Sequence, residues 1–520
     1  MLYPQQNDVR NLLDLSGFWD FKLDPEEVGE SEGWIHGLEA PRQIAVPASW
    51  NELFQDTRDY LDMAWYAREF YVPQGWQGQR IFLRVGSANY AAKVWVNGQF
   101  VGAHEGGHLP FAFDVTDCVT WGQPNTTTIQ VEGKLTPTRV PAGNIGGGAS
   151  AFMAGYPNTT FDFFPYTGIQ RPVILYAVPE TRIEDVTVVT EIEGTNGMVK
   201  VTVKQTGGGT GQVTLVGENG TFEADLTFTD GSASAEITVP GARLWSTDDP
   251  YLHALTVTLT EGDAHIDRYT LGVGIRTIDV DGDKILLNGK PIVLTGFGRH
   301  EDFPIHGRGL NMPLIVKDYA LLKWIGANSY RTSHYPYAEE QMTMADREGI
   351  LVIDEIPAVS LQFEDGEENI QARLAMCKQQ MEELIARDKN HPSVIMWSVA
   401  NEPMPPDMIR RFMGSGGDNA TDDAKLAQGT TFFRELFDLT RALDPSRLVT
   451  LVGVMGGPME WLALADVACI NRYWGWYTQG GQIDAGAEFL AQELDGLYDQ
   501  LGKPIIITEF GADTLSLIHI

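Results

Sequence analysis

Two glutamates in the sequence close apolar runs of the kind that a buried strand supplies. Glu402 follows Val394-Ile-Met-Trp-Ser-Val-Ala-Asn401, and Glu509 follows Ile505-Ile-Ile-Thr508. A carboxylate brought to the edge of a core needs a partner or a task, because burying its charge unpaired is costly. Two carboxyl groups flanking one bond suit glycoside hydrolysis: one protonates the leaving oxygen, and the other attacks the sugar carbon or activates water. In the configuration-retaining form the two groups stand about 5 to 5.5 Å apart. The competing reading is structural, with both glutamates as rim carboxylates paired to arginines such as Arg299 or Arg331.

The elements that would carry these residues follow from the apolar pattern. From about Leu13 to Tyr176 short alternating runs are broken by turn residues, and Asn97-Gly98 between two apolar stretches marks a hairpin. From about Pro179 to Gly274 come further Val- and Thr-rich runs separated by Gly, Asn or Asp, as in a small immunoglobulin-like β-sandwich. After Arg276 the pattern changes to short apolar runs alternating with stretches of helical period, which predicts a parallel sheet. Seven such runs (IVLTGFG, ANSYRTS, ILVIDEIP, SVIMWSVANE, RLVTLVGVM, DVACINRYW and KPIIITEFG) approach the repeat of a (β/α)₈ TIM barrel lacking its last strand. The closing LSLIHI resembles a translated library adapter, so the gene is expected to be cut short. A barrel left open in this way is expected to fold poorly and to have little activity.

Active sites of such barrels lie at the C-terminal strand ends. There the runs finish in Arg299-His300-Glu301-Asp302, Arg331-Thr332-Ser333-His334-Tyr335, Asp354-Glu355, Asn401-Glu402, Asn471-Arg472-Tyr473 and Glu509. Runs four and seven stand nearly opposite each other, so Glu402 and Glu509 can face one bond. For His334 a packing role bonded to a backbone carbonyl stays open. Tyr473-Trp-Gly-Trp-Tyr477 suits a sugar, whose C–H faces stack on aromatic planes, but loop packing also explains it.

Composition narrows the function classes. The formal charge of −33 opposes binding to phosphate backbones, so no nucleic-acid partner is expected. No apolar stretch is long enough to suggest a membrane span, and the opening residues carry no secretory pattern, so a cytoplasmic location is expected. Cys118, Cys377 and Cys469 are widely spaced and read as reduced packing residues. No phosphate-cradling glycine loop and no metal-ligand spacing is present, so neither cofactor nor metal is expected.

With these residues in view, the chain resembles glycoside hydrolase family 2, and within it the bacterial members acting on β-glucuronides. The likeness runs from LDLSGFWDF and VPASWNE through VWVNGQFVGAHEGGHLPF, NSYRTSHYPYAEE and DKNHPSVIMWSVANEP to ITEFGAD. It implies a jelly-roll sugar-binding-like domain over 1–179, an immunoglobulin-like sandwich over 180–275 and a catalytic barrel over 276–520. By the resemblance Glu402 is the acid/base and Glu509 the nucleophile of a retaining exo-β-glucuronidase. Asn401 bonds the sugar 2-hydroxyl, and Asp162, His334, Asn471, Tyr473 and Tyr477 contact the substrate, a small-molecule or oligosaccharide β-glucuronide. Trp474 stands where the family pattern has Tyr. The residues that read the sugar carboxylate are expected beyond Ile520. RRFMGSGGDNATDDAKLAQG (410–429) is expected as a long loop at the mouth that shapes aglycone preference. Other family-2 activities (β-galactosidase, β-mannosidase), an inactive carbohydrate-binding fragment and a homo-oligomeric assembly remain open.

Overall fold

The computed structural model describes residues 1–143, 159, 161, 163–262, 264–405 and 419–511. The N-terminal part is two antiparallel sheets, one of four strands and one of seven, closed over an apolar core that includes Trp19, Phe21, Tyr66, Val94 and Ile129. Strands Ala88–Val96 and Gln99–Gly107 are joined by the Asn97-Gly98 turn, whose φ angles of 51° and 76° are those a tight hairpin requires. Next, a sheet of three strands faces one of four. Strand Asn196–Thr206 buries alternate residues, and Val199, Val201 and Val203 join Val213, Leu255 and Val257 in its core.

The third part is a parallel sheet of seven strands: β1 (Gly296–Gly298), β2 (Ser329–Arg331), β3 (Leu351–Glu355), β4 (Val394–Asn401), β5 (Leu448–Gly453), β6 (Ala468–Asn471) and β7 (Ile505–Glu509), paired in chain order. The connecting helices include α1 (Met312–Trp324), α2 (Glu339–Glu348), α3 (Glu367–Asp388), α4 (Asn419–Leu443) and α5 (Ile483–Leu501). All eight residues of β4 are buried, because helices cover its outer side while the barrel packs its inner side. Cα atoms of β1 and β7 approach within 8 Å, which makes a nearly closed barrel. These two edge strands are less buried than the strands between them.

Local chemistry explains where elements stop. Asn311 caps α1 by accepting from the Leu314 amide at 3.1 Å. Gly349 ends α2 at φ 71°, where a Cβ would lie 2.5 Å from the Thr247 carbonyl oxygen of the sandwich. One expectation needs correcting: from Asn419 onward the segment 410–429 is the first turns of α4 rather than loop. Its Ala, Lys, Leu and Gln residues are good helix formers, and residues 410–418 lie outside the described ones.

The three parts are tied by buried and half-buried polar contacts. Arg84 of the first sandwich bonds Glu339 of α2 at 2.5 Å, and Lys389 reaches Asp185 of the second at 2.5 Å. Trp245 donates from Nε1 to the Asp346 carbonyl at 2.8 Å and packs beneath the barrel with Leu351 and Ile395. Among the described residues no helix is long and apolar enough to cross a membrane.

Candidate active site

Strand β4 delivers Asn401 and Glu402 to the barrel mouth. Glu402 leaves the strand at φ 46°, in the left-handed region, and its amide donates to the Val452 carbonyl at 2.8 Å. Backbone strain of this kind costs about 1–3 kcal/mol and persists only where the surroundings fix it, commonly at functional sites. Asn471, the last residue of β6, donates from Nδ2 to Glu402 Oε1 at 2.9 Å and lies 3.3 Å from Asn401 Oδ1. Its own Oδ1 accepts from Thr508 Oγ1 at 2.7 Å, which locks the amide orientation.

Glu509 ends β7 and is half-buried. Its Oε2 accepts from the Tyr473 hydroxyl at 2.6 Å, and its Oε1 accepts from Arg331 Nη2. His334 Nε2 stands 3.7 Å from Oε1. Burial pushes the Glu509 carboxyl upward, but the charges of Arg331 and His334 and the Tyr473 bond outweigh it and hold the group below the usual glutamate range. Glu509 is thus an ionised carboxylate at neutral pH, as an attacking group must be.

Beneath it, Arg331 Nη1 lies 2.8 Å from Glu355 Oε1, 3.0 Å from His334 Nδ1 and 3.4 Å from Asn401 Oδ1. His334 is also 3.2 Å from Glu355 and stacks on Phe163 with ring centroids 5.9 Å apart. Among the described residues it therefore bonds side chains rather than a backbone carbonyl. Phe163 comes from the N-terminal part, so that domain reaches the mouth; its neighbour Asp162 lies outside the described residues. Tyr473 meets Tyr477 edge to face at 5.1 Å, and the Tyr477 ring is 64% exposed. Among the described residues no cluster of His, Cys, Asp and Glu is gathered as a metal ion would require.

A parallel barrel with one carboxylate held by Asn471 and another by Tyr473 and Arg331 is equipped for acid/base and nucleophilic work on one glycosidic bond. Comparison with known proteins agrees. The glycosyl hydrolases family 2 sugar binding domain matches residues 12–179, the glycosyl hydrolases family 2 domain residues 181–276, and the family 2 TIM barrel domain residues 278–518. A beta-glucuronidase of Paenibacillus borealis is 39% identical over 535 residues, covering 100% of this chain and 86% of its own length.

The chain belongs to glycoside hydrolase family 2.

A second member, the beta-glucuronidase of Rattus norvegicus, is 38% identical over 100% of this chain and 80% of its own length. Among solved structures, the β-glucuronidase of Ruminococcus gnavus in complex with D-glucuronic acid superposes with a TM-score of 0.87 at 37% identity, covering 99% of this chain and 85% of that one.

Within this family-2 site, the structure brings together Glu402, Glu509, Asn401, Asn471, Tyr473 and His334, with Tyr477 at the rim. The Asn471 amide bonds Glu402 and Thr508 and lies beside Asn401. Trp474 points away from the pair: its Nε1 donates to Glu493 of α5 at 2.8 Å and its ring stacks on Phe489. Sequence reasoning assigned no role to Glu355 or Ser398, and left Arg331 only as an ion-pair partner. Strand alternation carries the signal that was missed, because Arg331 and Glu355 are the last residues of β2 and β3 and point inward together.

Proposed function

We propose that the protein is a retaining exo-β-glucuronidase working by double displacement. Glu402 protonates the glycosidic oxygen while Glu509 attacks the anomeric carbon, giving a glycosyl-enzyme ester and the free aglycone. Glu402, now a carboxylate, then takes a proton from water as that water attacks the same carbon and releases β-D-glucuronate and Glu509. Asn401 bonds the 2-hydroxyl, a contact that tightens in the oxocarbenium-like transition state. His334, Asp162 and Tyr477 hold the sugar, and Asn471 and Tyr473 orient the two glutamates.

The observation that carries this reading is Glu509 kept ionised between Arg331 and Tyr473 while Asn471 holds Glu402 beside it. Choice of glucuronate among the family's sugars is supported by the likeness to the Paenibacillus borealis, Rattus norvegicus and Ruminococcus gnavus proteins. A cytoplasmic location and a homo-oligomeric state belong to the same proposal. The test is hydrolysis of aryl β-glucuronide, β-galactoside and β-mannoside by the parent, Glu402→Gln and Glu509→Gln. Preference of the parent for the glucuronide, and a loss of at least about 100-fold in each variant, is expected. A parent that favours galactoside or mannoside reassigns the substrate, and full activity in either variant removes the mechanism.

A further inference from the structure

We infer that Glu355 is a positioning residue for this reaction: it holds Arg331 by one guanidinium nitrogen so that the other addresses Glu509, and it shares Arg331's charge so that Glu509 stays a competent nucleophile. The inference rests on the role proposed above for Glu509 and extends it to a carboxylate with no solvent exposure.

The Glu355 carboxylate is held at both oxygens. Oε2 accepts from Ser398 Oγ at 2.6 Å, and Oε1 accepts from Arg331 Nη1 at 2.8 Å with His334 Nδ1 at 3.2 Å. Its backbone amide donates to Thr332 Oγ1 at 2.8 Å, which fixes the end of β3 against the segment after β2. Both oxygens of this buried carboxylate are thus engaged by protein groups. Arg331, itself 2% exposed, is therefore one cation between two carboxylates, with Nη1 on Glu355 and Nη2 on Glu509.

An arginine with a single carboxylate partner turns both nitrogens onto it, since the two-pronged pair is the stronger geometry. Glu355 prevents that turn. Arg331 thus spends one nitrogen on Glu509 Oε1, while Oε2 is held by Tyr473. A second prong would neutralise the nucleophile further and lower its basicity, which slows attack.

The test compares pH profiles of kcat and kcat/KM for the parent, Glu355→Gln and Glu355→Asp, on whichever aryl glycoside the parent turns over best. The substrate assignment and this inference therefore fail separately. Glu355→Gln keeps the shape and removes the charge. It is expected to lower kcat about 10- to 100-fold with KM within about threefold, and to move the acid limb of kcat/KM down by about one pH unit. Glu355→Asp restores the charge and is expected to return the acid limb to the parent's position. A folded Glu355→Gln enzyme with the parent's acid limb overturns the inference, whatever its kcat, because a purely structural role changes the amount of active enzyme and not the limb. If Glu355→Gln does not fold, Ser398→Ala weakens the hold on the same carboxylate by one hydrogen bond. It is expected to lower kcat about three- to tenfold at constant KM, and an unchanged kcat overturns the inference.

Discussion

The Asn471 side-chain amide donates to Oε1 of Glu402 across 2.9 Å. Two residues further on, Tyr473 donates its hydroxyl to Oε2 of Glu509 across 2.6 Å. One strand end thus sets both carboxylates, so their relative position depends on β6 as much as on the strands that carry them. Asn471→Ala is expected to lower kcat about 10- to 100-fold while leaving KM within about threefold, because it removes the amide that holds Glu402. Steady-state kinetics on an aryl glycoside decide this: a rise in KM at constant kcat would make Asn471 a substrate ligand instead.

Tyr473 also affects the pH profile. Its hydrogen bond favours the charged form of Glu509, alongside Arg331 and His334. The acid limb of kcat/KM, which reports the free enzyme's nucleophile, is expected below the usual glutamate range in the parent. Tyr473→Phe removes one stabilising donor, so the limb moves to higher pH. A limb that stays in place, or moves down, contradicts the assigned contact.

A buried acid outside the site links stability to pH. Asp354 on β3 is fully buried beside Asp388 at the end of α3, and burial followed by the Asp388 charge pushes its carboxyl well above the ordinary value. Asp388 stays ionised, since Arg387 outweighs its burial. Asp354 therefore keeps a proton that the unfolded chain releases above a pKa of about 3.8. Its contribution is complete below that value and is lost as pH rises towards the folded-state pKa. Asp354→Asn, which needs no proton, is expected to gain in Tm over the parent as pH rises above the ordinary aspartate range, until the folded-state pKa is passed. A Tm difference that does not change with pH would mean that Asp354 is ionised in the fold.

Trp474 stands where the family pattern has Tyr, yet its indole is bonded to Glu493 and stacked on Phe489. Trp474→Tyr is expected to change kcat/KM by less than about threefold on glycosides with small or large aglycones, and to lower Tm through lost packing. A change in the ratio between aglycones would place the residue at the substrate.

The three-part architecture was legible because each part has its own period. Alternating Val-Lys-Val-Thr-Val within 199–203 marks half-buried strands, whereas Val394-Ile-Met-Trp-Ser-Val-Ala400 has no polar face and, at this short length, fits a strand covered on both sides. Glu402 and Glu509 stand out in the sequence in the same way, as ionisable groups closing apolar runs. What the sequence could not convey is which side chains meet across strands. That Asn471 faces Glu402, and that Arg331 divides itself between Glu355 and Glu509, depends on the register of five strands from distant parts of the chain. The start of α4 inside 410–429 was missed because glycines at the head of that segment masked the helix formers behind them.

The central claim is that Glu402 and Glu509 act as acid/base and nucleophile in a double displacement, and the configuration of the first-formed product tests it most directly. Proton NMR of an aryl β-glucuronide mixed with enzyme is expected to show the β-anomer of free glucuronate first, with the α-anomer appearing later by mutarotation. An α-anomer formed first would mean inversion by a single displacement, and Glu509 would then be a base acting on water instead of the nucleophile.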